Sequence, residues 1–564
     1  MHSVKKNIIL FDIKFSTHQT NGIMHLTISL PLSLEKLNLM KNLYSILLIV
    51  QMCVMGSLVH SQELNTAYID SLVASSMELM PQAGVAIAVI QDGKVIHSKG
   101  YGITSMKTNG KVDENTLFSI ASNSKAFTTT ALGMLVDEGK MNWTDKVIDY
   151  IPEFKMYESY VTENFTIQDL ITHRSGLGLG AGDLMFIPDG ADFTIEDIVT
   201  SFQHQKPVSA FRTKYDYDNL LYITAGEVIA RISGMPWDEF VEQRIMNPLG
   251  MDRSAGYFEN LKTSKNVAIP HSSEHEKLSI LNTYEDPHKL FGAAGGIYSS
   301  VHDLSQWMLM HLNKGKYGDD KELISEENHN ELWKAHTNMY FNATPENAYR
   351  THYKAYGLGW GLTDQNGYTI VSHTGGMPGM LSQVLLIPEL NAGVVVLTNA
   401  APGGYSYYAL THTIKDVLIG AEKRDWIGDA KKWIEEGETE ADEVVNEVWE
   451  TVKKSKSTKI QLSDYTGVYH DNWFGDIKIE DRDGKLWFTS LRSPKLNGEM
   501  FFYQATTFAV KWEYVEMNCD AFAIFSLDEN GQAQSIKMKG ISPAIDFSFD
   551  FHDLDLQRVE EKND

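Results

Sequence analysis

Ser122 and Lys125 are the two residues whose types and spacing most directly suggest catalysis. A serine hydroxyl attacks a carbonyl at neutral pH only when a base lies within hydrogen-bond reach. The apolar spacing from Ser122 to Glu138, followed by Gly139, predicts a helix. On a helix, a spacing of three places both side chains on one face, and the positive field at the N-terminus favours a neutral, basic lysine. Alone, the pattern is equally typical of a capping serine beside a surface lysine.

Two further segments carry side chains that could serve the same reaction. In Tyr215-Asp216-Tyr217-Asp218-Asn219, a loop places the Tyr217 phenol and the Asn219 amide on the same side, where they could relay a proton and bind substrate. His373-Thr374-Gly375-Gly376 follows a strand, and its glycines would let substrate backbone approach closely. Each segment alone is also typical of an ordinary loop or strand end.

In the order S-x-x-K, Y-x-N and H-T-G, the three segments resemble the active-site set of serine β-lactamases and penicillin-binding proteins. The similarity is greatest to the branch of class C β-lactamases and D-alanyl-D-alanine carboxypeptidases, also called the peptidase S12-like group. It covers roughly residues 70–420, and the segments 166–177, 293–296 and 356–361 look like that family as well. The resemblance implies a serine hydrolase that works through an acyl-enzyme and needs no metal or organic cofactor.

The resemblance also implies the catalytic roles. Ser122 would be acylated, and Lys125 and Tyr217 would share the proton transfers, with either of them as the general base. Asn219 would hydrogen-bond the substrate amide. His373 would complete the catalytic set at the end of its strand.

The remaining strand residues would hold the substrate. The resemblance implies an oxyanion hole formed by the backbone N–H groups of Ser122 and Gly376, with Thr374 and Gly375 beside it. His373 stands where many relatives carry lysine, a permanent cation suited to a substrate carboxylate, whereas histidine is only partly charged near neutrality. We therefore expect action on a small peptide, amide or ester more than efficient β-lactam hydrolysis.

The patterns along the chain predict an α/β fold. Alternating apolar residues at 83–90, a turn at Asp92-Gly93 and residues 94–96 predict a hairpin. Strands return at 368–373, 381–387 and 394–398, and the residues between are mostly helices and loops. This predicts one sheet built from both ends of the domain, a helical second lobe, and a cleft between them. The resemblance implies that the sheet is antiparallel and flanked by helices.

The chain divides into further regions after the hydrolase domain, which we place at 62–420. Residues 421–458 are highly charged and predict a helical linker. Residues 459–564 show short aromatic-rich strands and turns at Asp483-Gly484 and Asn530-Gly531, which predict a small antiparallel β-barrel-like domain. This region resembles the lipocalin-like domain of unknown function often attached to such hydrolases, and its role is open.

Residues 1–61 are interpreted as an upstream extension and a signal peptide. From Met40, one lysine, an apolar run at 43–58 and Val59-His60-Ser61 have the order of a secretory signal, so Met40 is the expected start. A membrane anchor and a lipoprotein modified at Cys53 are the alternatives. We expect an exported, periplasmic or secreted protein, attached to a membrane only if this segment is retained. Cleavage would leave Cys519 alone, with no intrachain disulfide.

The net charge of the chain limits the classes of partner that it could bind. The chain carries 74 acidic and 49 basic residues, a net charge of −25, which disfavours nucleic acid and anionic membrane surfaces. We expect a small-molecule or peptide substrate, and the oligomeric state is open. Two alternatives to an enzyme remain. A binding or sensor protein would stay acylated after one equivalent, and a structural cell-surface protein would leave the motif set unexplained.

Overall fold

The computed structural model describes residues 64–263, 265–342, 349–455, 460–516 and 518–560. The predicted signal peptide and upstream extension, residues 1–61, lie outside these ranges. From Leu64 onward, the described residues belong to one unit of structure.

An eight-stranded antiparallel sheet is built from both ends of the region 84–398. The predicted hairpin forms, and its turn residues Asp92 and Gly93 have positive φ angles of 51° and 70°. In spatial order the strands are Lys94–Gly102, Gly84–Gln91, Ala392–Thr398, Met380–Ile387, Tyr368–Met377, Gly361–Gln365, Lys354–Tyr356 and Thr337–Asn338.

Helices cover both faces of this sheet. Ile87 packs into the core shared with the helices Thr66–Leu79 and Ser406–Leu418, whereas its neighbour Ala88 faces the larger core on the other side. This alternation is the period of two that a strand imposes on its side chains. The double cover explains why every residue of Ala392–Thr398 is buried.

The middle of the chain forms the helical lobe. Its helices are Ser124–Asp137, Ser159–Asn164, Ile167–Leu170, Ile195–Ser201, Asn219–Ser233, Trp237–Val241, Asn247–Leu249 and Glu326–Leu332. The helix Val301–Leu312 packs on the sheet, against the strands Gly84–Gln91 and Ala392–Thr398. Its short antiparallel pairs are Phe118–Ser119 with Tyr298–Ser299, His271–Ser272 with Ser279–Ile280, and Lys316–Tyr317 with Lys321–Glu322. The helix Ser124–Asp137 is buried along its first twelve residues, so it runs through the core rather than along the surface.

A single long helix, Trp426–Lys454, joins the lobes to the C-terminal region. Its first turn packs Trp426 and Ala430 against Ala409, and near its far end Val448 packs against Ala509 of the C-terminal barrel. The helix is therefore docked at both ends.

The C-terminal region is a closed eight-stranded barrel. Its strands are Gly467–Asp471, Gly475–Arg482, Lys485–Ser490, Asn497–Gln504, Thr507–Trp512, Ala521–Leu527, Ala533–Gly540 and Leu556–Val559. Large side chains such as Phe488, Trp512 and Phe525 are buried in it. The predicted turns at Asp483-Gly484 and Asn530-Gly531 both connect adjacent strands of the barrel.

The predicted fold class is confirmed, with its antiparallel sheet flanked by helices, its helical lobe and its C-terminal barrel. Within the described residues, no helix has the length and apolar character needed to cross a bilayer.

Candidate active site

The backbone around Ser122 is held in a special conformation. Ala121, the residue before it, has a φ of 47°, in the left-handed region that non-glycine residues seldom occupy. A short 3-10 turn, Ala121–Asn123, then leads into the helix Ser124–Asp137. Ser122 is only partly buried, although most of its neighbours are fully buried. Its hydroxyl is therefore presented at the start of a rigid helix while staying accessible.

The strand Tyr368–Met377 packs closely against this turn. A Cβ atom on Gly375 would lie 2.1 Å from the carbonyl oxygen of Ile120, so only glycine fits there. The Ser382 hydroxyl of the next strand donates to the same carbonyl at 2.8 Å and accepts from the Asn123 amide at 2.8 Å. The sheet thus fixes the backbone on which Ser122 sits.

Lys125 lies fully buried beneath the serine. Its Nζ contacts three acceptors, at 3.1 Å from Ser122 Oγ, 2.7 Å from Asn219 Oδ1 and 2.8 Å from the Ala294 carbonyl oxygen. Burial lowers the pKa of Lys125 to about 7, and the nearby carboxyl groups of Asp183 and Asp218 act in the opposite direction. A large fraction of the amine is therefore unprotonated near neutral pH and can accept the Ser122 proton. The surface-lysine interpretation of this motif does not hold.

Tyr217 completes the group around the serine. Its ring centroid is 4.7 Å from Lys125 Nζ, and its buried hydroxyl makes no hydrogen bond with the described residues. Burial raises the pKa of Tyr217 well above its usual range. The phenol therefore stays protonated at neutral pH and is suited to donating a proton to a leaving group.

Asn219 differs from the loop position predicted for it. It is the first residue of the helix Asn219–Ser233, because Asp218 caps that helix by accepting from the Leu221 N–H at 3.2 Å. Asn219 Nδ2 donates to Asp183 Oδ2 at 2.8 Å, while its Oδ1 accepts from Lys125. The amide thus orients Lys125, and one N–H remains for the substrate contact that the resemblance implies.

His373 is buried beside Tyr217, with ring centroids 6.3 Å apart. Its Nδ1 lies 2.6 Å from the Thr374 carbonyl oxygen, and its Nε2 lies 2.9 Å from the Tyr356 hydroxyl. A neutral ring satisfies both contacts by donating from Nδ1 and accepting at Nε2. Burial and then the positive charge of Lys125 lower the pKa of His373 to about 3, so the imidazole is uncharged at neutral pH.

Thr374 and Gly376, which the resemblance predicts to contact substrate, are exposed on the face of the same strand opposite to His373. The oxyanion role of the Ser122 and Gly376 N–H groups stays a prediction.

A small open cavity lies beside the nucleophile segment. It begins next to Ala294 and Gly376, at Gly295 and Met377, and its lining includes Tyr284 and Phe291. Its only charged lining residues within the described part of the chain are acidic, Glu259 and Asp286. Among the described residues, this lining offers no cation to a substrate carboxylate.

Sequence reasoning passed over several residues that the site contains. Asp183 is fully buried against Asn219, and Tyr356 bonds His373. His173, within the segment 166–177, accepts from the Asp218 N–H at 3.1 Å, and its ring lies 4.3 Å from that of Tyr217. No sequence motif marks Asp183, whereas Tyr356 lies in a segment already noted for the resemblance. Among the described residues, no group of three or more histidine, cysteine or carboxylate side chains could hold a metal ion.

The site can be compared with known proteins. A model of the family described as Beta-lactamase matches residues 69–418. The chain belongs to the beta-lactamase family. A second model, described as a domain of unknown function (DUF3471), matches residues 451–558, which include the barrel.

Relatives within the beta-lactamase family include an enzyme of fungal origin and a bacterial protein. The chain is 28% identical over 409 residues to unguisins hydrolase ungD′ of Aspergillus campestris (strain IBT 28561), covering 68% of this chain and 72% of that protein. It is 28% identical over 351 residues to protein flp of Staphylococcus aureus (strain NCTC 8325 / PS 47), covering 59% of this chain and 62% of flp. These similarities support a hydrolase of the beta-lactamase family.

Solved structures show the same fold. The octameric penicillin-binding protein homologue from Pyrococcus abyssi has a TM-score of 0.54 at 20% identity, covering 87% of this chain and 100% of that one. A penicillin-binding protein from Bacillus halodurans has a TM-score of 0.50 at 23% identity, covering 61% of this chain and 98% of that one.

Proposed function

We propose that the chain is a serine hydrolase that cleaves a peptide, amide or ester through an acyl-enzyme on Ser122. The observation that carries this proposal is the contact of 3.1 Å between the Ser122 hydroxyl and the buried amine of Lys125. A buried amine with a pKa of about 7 is a base matched to neutral pH. The relatives that are named hydrolases favour turnover over a sensor that stays acylated.

The reaction begins with the attack of Ser122 Oγ on the substrate carbonyl carbon, while the serine proton passes to the neutral amine of Lys125. The carbonyl oxygen becomes an oxyanion that the Ser122 and Gly376 N–H groups would stabilise. Collapse of this intermediate breaks the bond to the leaving group, which takes a proton from the Tyr217 hydroxyl. Tyr217 regains its proton from the Lys125 ammonium, so the charges balance.

Water then releases the acyl group from Ser122. The water oxygen attacks the ester carbonyl and gives up a proton to the neutral amine of Lys125. The serine leaves with that proton, and the acid product departs. Lys125 ends this step in the same neutral form in which it began, so the site is ready for another turnover.

The rate of ester hydrolysis is expected to follow the protonation of Lys125. Because only the neutral amine accepts the serine proton, kcat/KM rises as pH increases, by about tenfold per unit well below the pKa of the base. The profile should bend near pH 7, the pKa of the buried amine, and become level above it. Initial rates on an uncharged ester from about pH 5 to pH 9 measure this, with the rate of Ser122→Ala subtracted at each pH. A profile without a bend in that range would contradict the assignment.

The substrate should lack a carboxylate next to the scissile bond. The buried His373 is neutral, and the adjoining cavity contributes Glu259 and Asp286 but no cation among its described lining residues. We expect kcat/KM for uncharged esters and amides to exceed that for carboxylate-bearing counterparts by about tenfold or more, the effect of about 1.4 kcal/mol of unfavourable charge interaction.

A panel of matched substrates tests both the activity and this preference. Each p-nitrophenyl ester or D-amino-acid peptide is paired with its carboxylate-bearing analogue, and nitrocefin is included. The proposal predicts repeated turnover, faster on the uncharged member of each pair. Release of one equivalent of product followed by a stable adduct would instead identify a sensor, and faster cleavage of the carboxylate-bearing members would contradict the substrate preference.

A further inference from the structure

The loop at residues 541–555 connects the last two strands of the barrel and reaches the active site. Within it, the Ser548 hydroxyl donates to Asp183 Oδ2 at 2.8 Å. The same oxygen accepts from the Asn219 amide, which in turn holds Lys125 Nζ at 2.7 Å. A continuous chain of hydrogen bonds therefore joins the barrel to the base beneath the nucleophile.

The 541–555 loop is also anchored on both sides of Asp183. The fully buried carboxyl group of Asp550 accepts from the backbone N–H groups of Gly182 at 2.8 Å and Leu184 at 3.0 Å. The next residue, Phe551, stacks on Trp512 of the barrel with ring centroids 5.8 Å apart. These contacts fix the position of Asp183 from the barrel side.

The barrel itself is bound to the helical lobe by ion pairs. Arg492 pairs with Asp197 at 2.7 Å, and Lys495 pairs with Asp189 at 2.7 Å. These ion pairs attach the barrel to the helical lobe independently of the 541–555 loop. The contacts of the loop with the site are therefore not required merely to attach the domain.

Phe547 of this loop packs beside Tyr217. Its ring meets the Tyr217 ring edge-on, with centroids 6.0 Å apart, and the side chain remains 41% exposed. Gly180 allows this approach, because a Cβ atom there would lie 2.8 Å from Phe547 Cδ2. An aromatic ring that is half exposed beside the catalytic phenol can contact a bound substrate.

We propose that the 541–555 loop of the barrel is a working part of the active site, with Ser548 as a positioning residue for Lys125 and Phe547 as a wall of the substrate cleft. This inference rests on the proposed hydrolase function. It gives the C-terminal domain a role in the chemistry of the hydrolase domain. Ser548 acts through Asp183 and Asn219, and Phe547 acts by contact with the substrate.

Loss of the Ser548 hydroxyl should change both the rate and its pH dependence. Burial, and then the nearby carboxyl groups of Asp550 and Asp218, raise the pKa of Asp183 well above its usual range. The hydrogen bonds from Ser548 and Asn219 oppose that shift. Without the hydroxyl, Asp183 is more fully protonated and supports the Lys125 ammonium less, so the pKa of Lys125 should fall. The bend in the kcat/KM profile should therefore move to lower pH in Ser548→Ala.

The test compares variants of the full chain on an uncharged ester. We expect Ser548→Ala to lower kcat/KM by about tenfold to a hundredfold, the effect of misplacing a catalytic group, and to shift the bend. Ser548→Thr keeps a hydroxyl and should restore most of the rate. Ser542→Ala is the matched control, because Ser542 is equally a buried serine of the loop but bonds only the backbone N–H of Ala544.

Phe547→Ala provides an independent test of the proposal. The variant should fold, because this half-exposed side chain is not part of a hydrophobic core. We expect the ratio of kcat/KM for bulky and small acyl esters to change by about tenfold, while Ile524→Ala, an equally exposed residue on the barrel, leaves the ratio unchanged. The proposal is overturned if Ser548→Ala keeps the wild-type rate and profile, or, where that variant does not fold, if Phe547→Ala keeps the wild-type ratio. In either case the dependence of hydrolysis on Ser122 would still support the proposed function.

Discussion

Ser122→Ala is expected to lower kcat/KM for an activated ester by about 10⁴- to 10⁶-fold, the usual cost of removing a catalytic nucleophile. The variant keeps the Cβ atom, and the Ala121 turn and the helix Ser124–Asp137 do not depend on the hydroxyl. The fold should therefore survive, and thermal unfolding should stay close to that of the wild type. Hydrolysis rates and covalent labelling by a fluorophosphonate probe measure the loss.

The matched control for this variant is Ser526→Ala, which removes an exposed hydroxyl from a barrel strand. It should label and turn over as the wild type does. Labelling of Ser122→Ala at the wild-type level would show that another residue is the nucleophile.

Lys125→Met is expected to reduce the acylation rate by about 10²- to 10⁴-fold, the range associated with loss of a general base. The substitution removes the group that lies 3.1 Å from Ser122 Oγ and keeps an unbranched side chain in the buried site. It also leaves Asn219 Oδ1 and the Ala294 carbonyl oxygen without the amine that they contact. Some loss of stability is expected as well, because unpaired buried acceptors cost about 1–3 kcal/mol each.

The pH profile separates loss of the base from loss of stability. The residual acylation rate of Lys125→Met should no longer bend near pH 7. The matched control is Lys415→Met, which removes another fully buried lysine, paired with Asp416 at 3.0 Å on the far helix Ser406–Leu418. That variant should lose stability while keeping the wild-type bend. A bend near pH 7 that persists in Lys125→Met would assign the base to a different group.

The parts of this structure that local sequence patterns specify were predictable. The hairpin at Asp92-Gly93, the helix that follows Ser122 and the turns of the barrel each depend on neighbouring residues. The order of the three short motifs also predicted that their side chains lie in one pocket, because side chains that take part in one reaction must be close together.

The parts that depend on distant contacts were not predictable. Ser548 meets Asp183 across 365 positions of the chain, and Lys125 meets Ala294 across 169. The depth at which Lys125 is buried, which lowers its pKa, follows from packing rather than from spacing. Asn219 was predicted to lie in a loop but is the first residue of a helix. The role of Asp218 as the cap of this helix was not recognised from the sequence.

The most direct test of the account is to trap the covalent intermediate. Wild-type protein is mixed with an uncharged ester, quenched during turnover and analysed by intact-mass and peptide mass spectrometry. We predict one added acyl group, located on Ser122, that forms and decays at rates consistent with steady-state hydrolysis. Full hydrolysis with no adduct at any time, or an adduct on a different residue, would contradict the account.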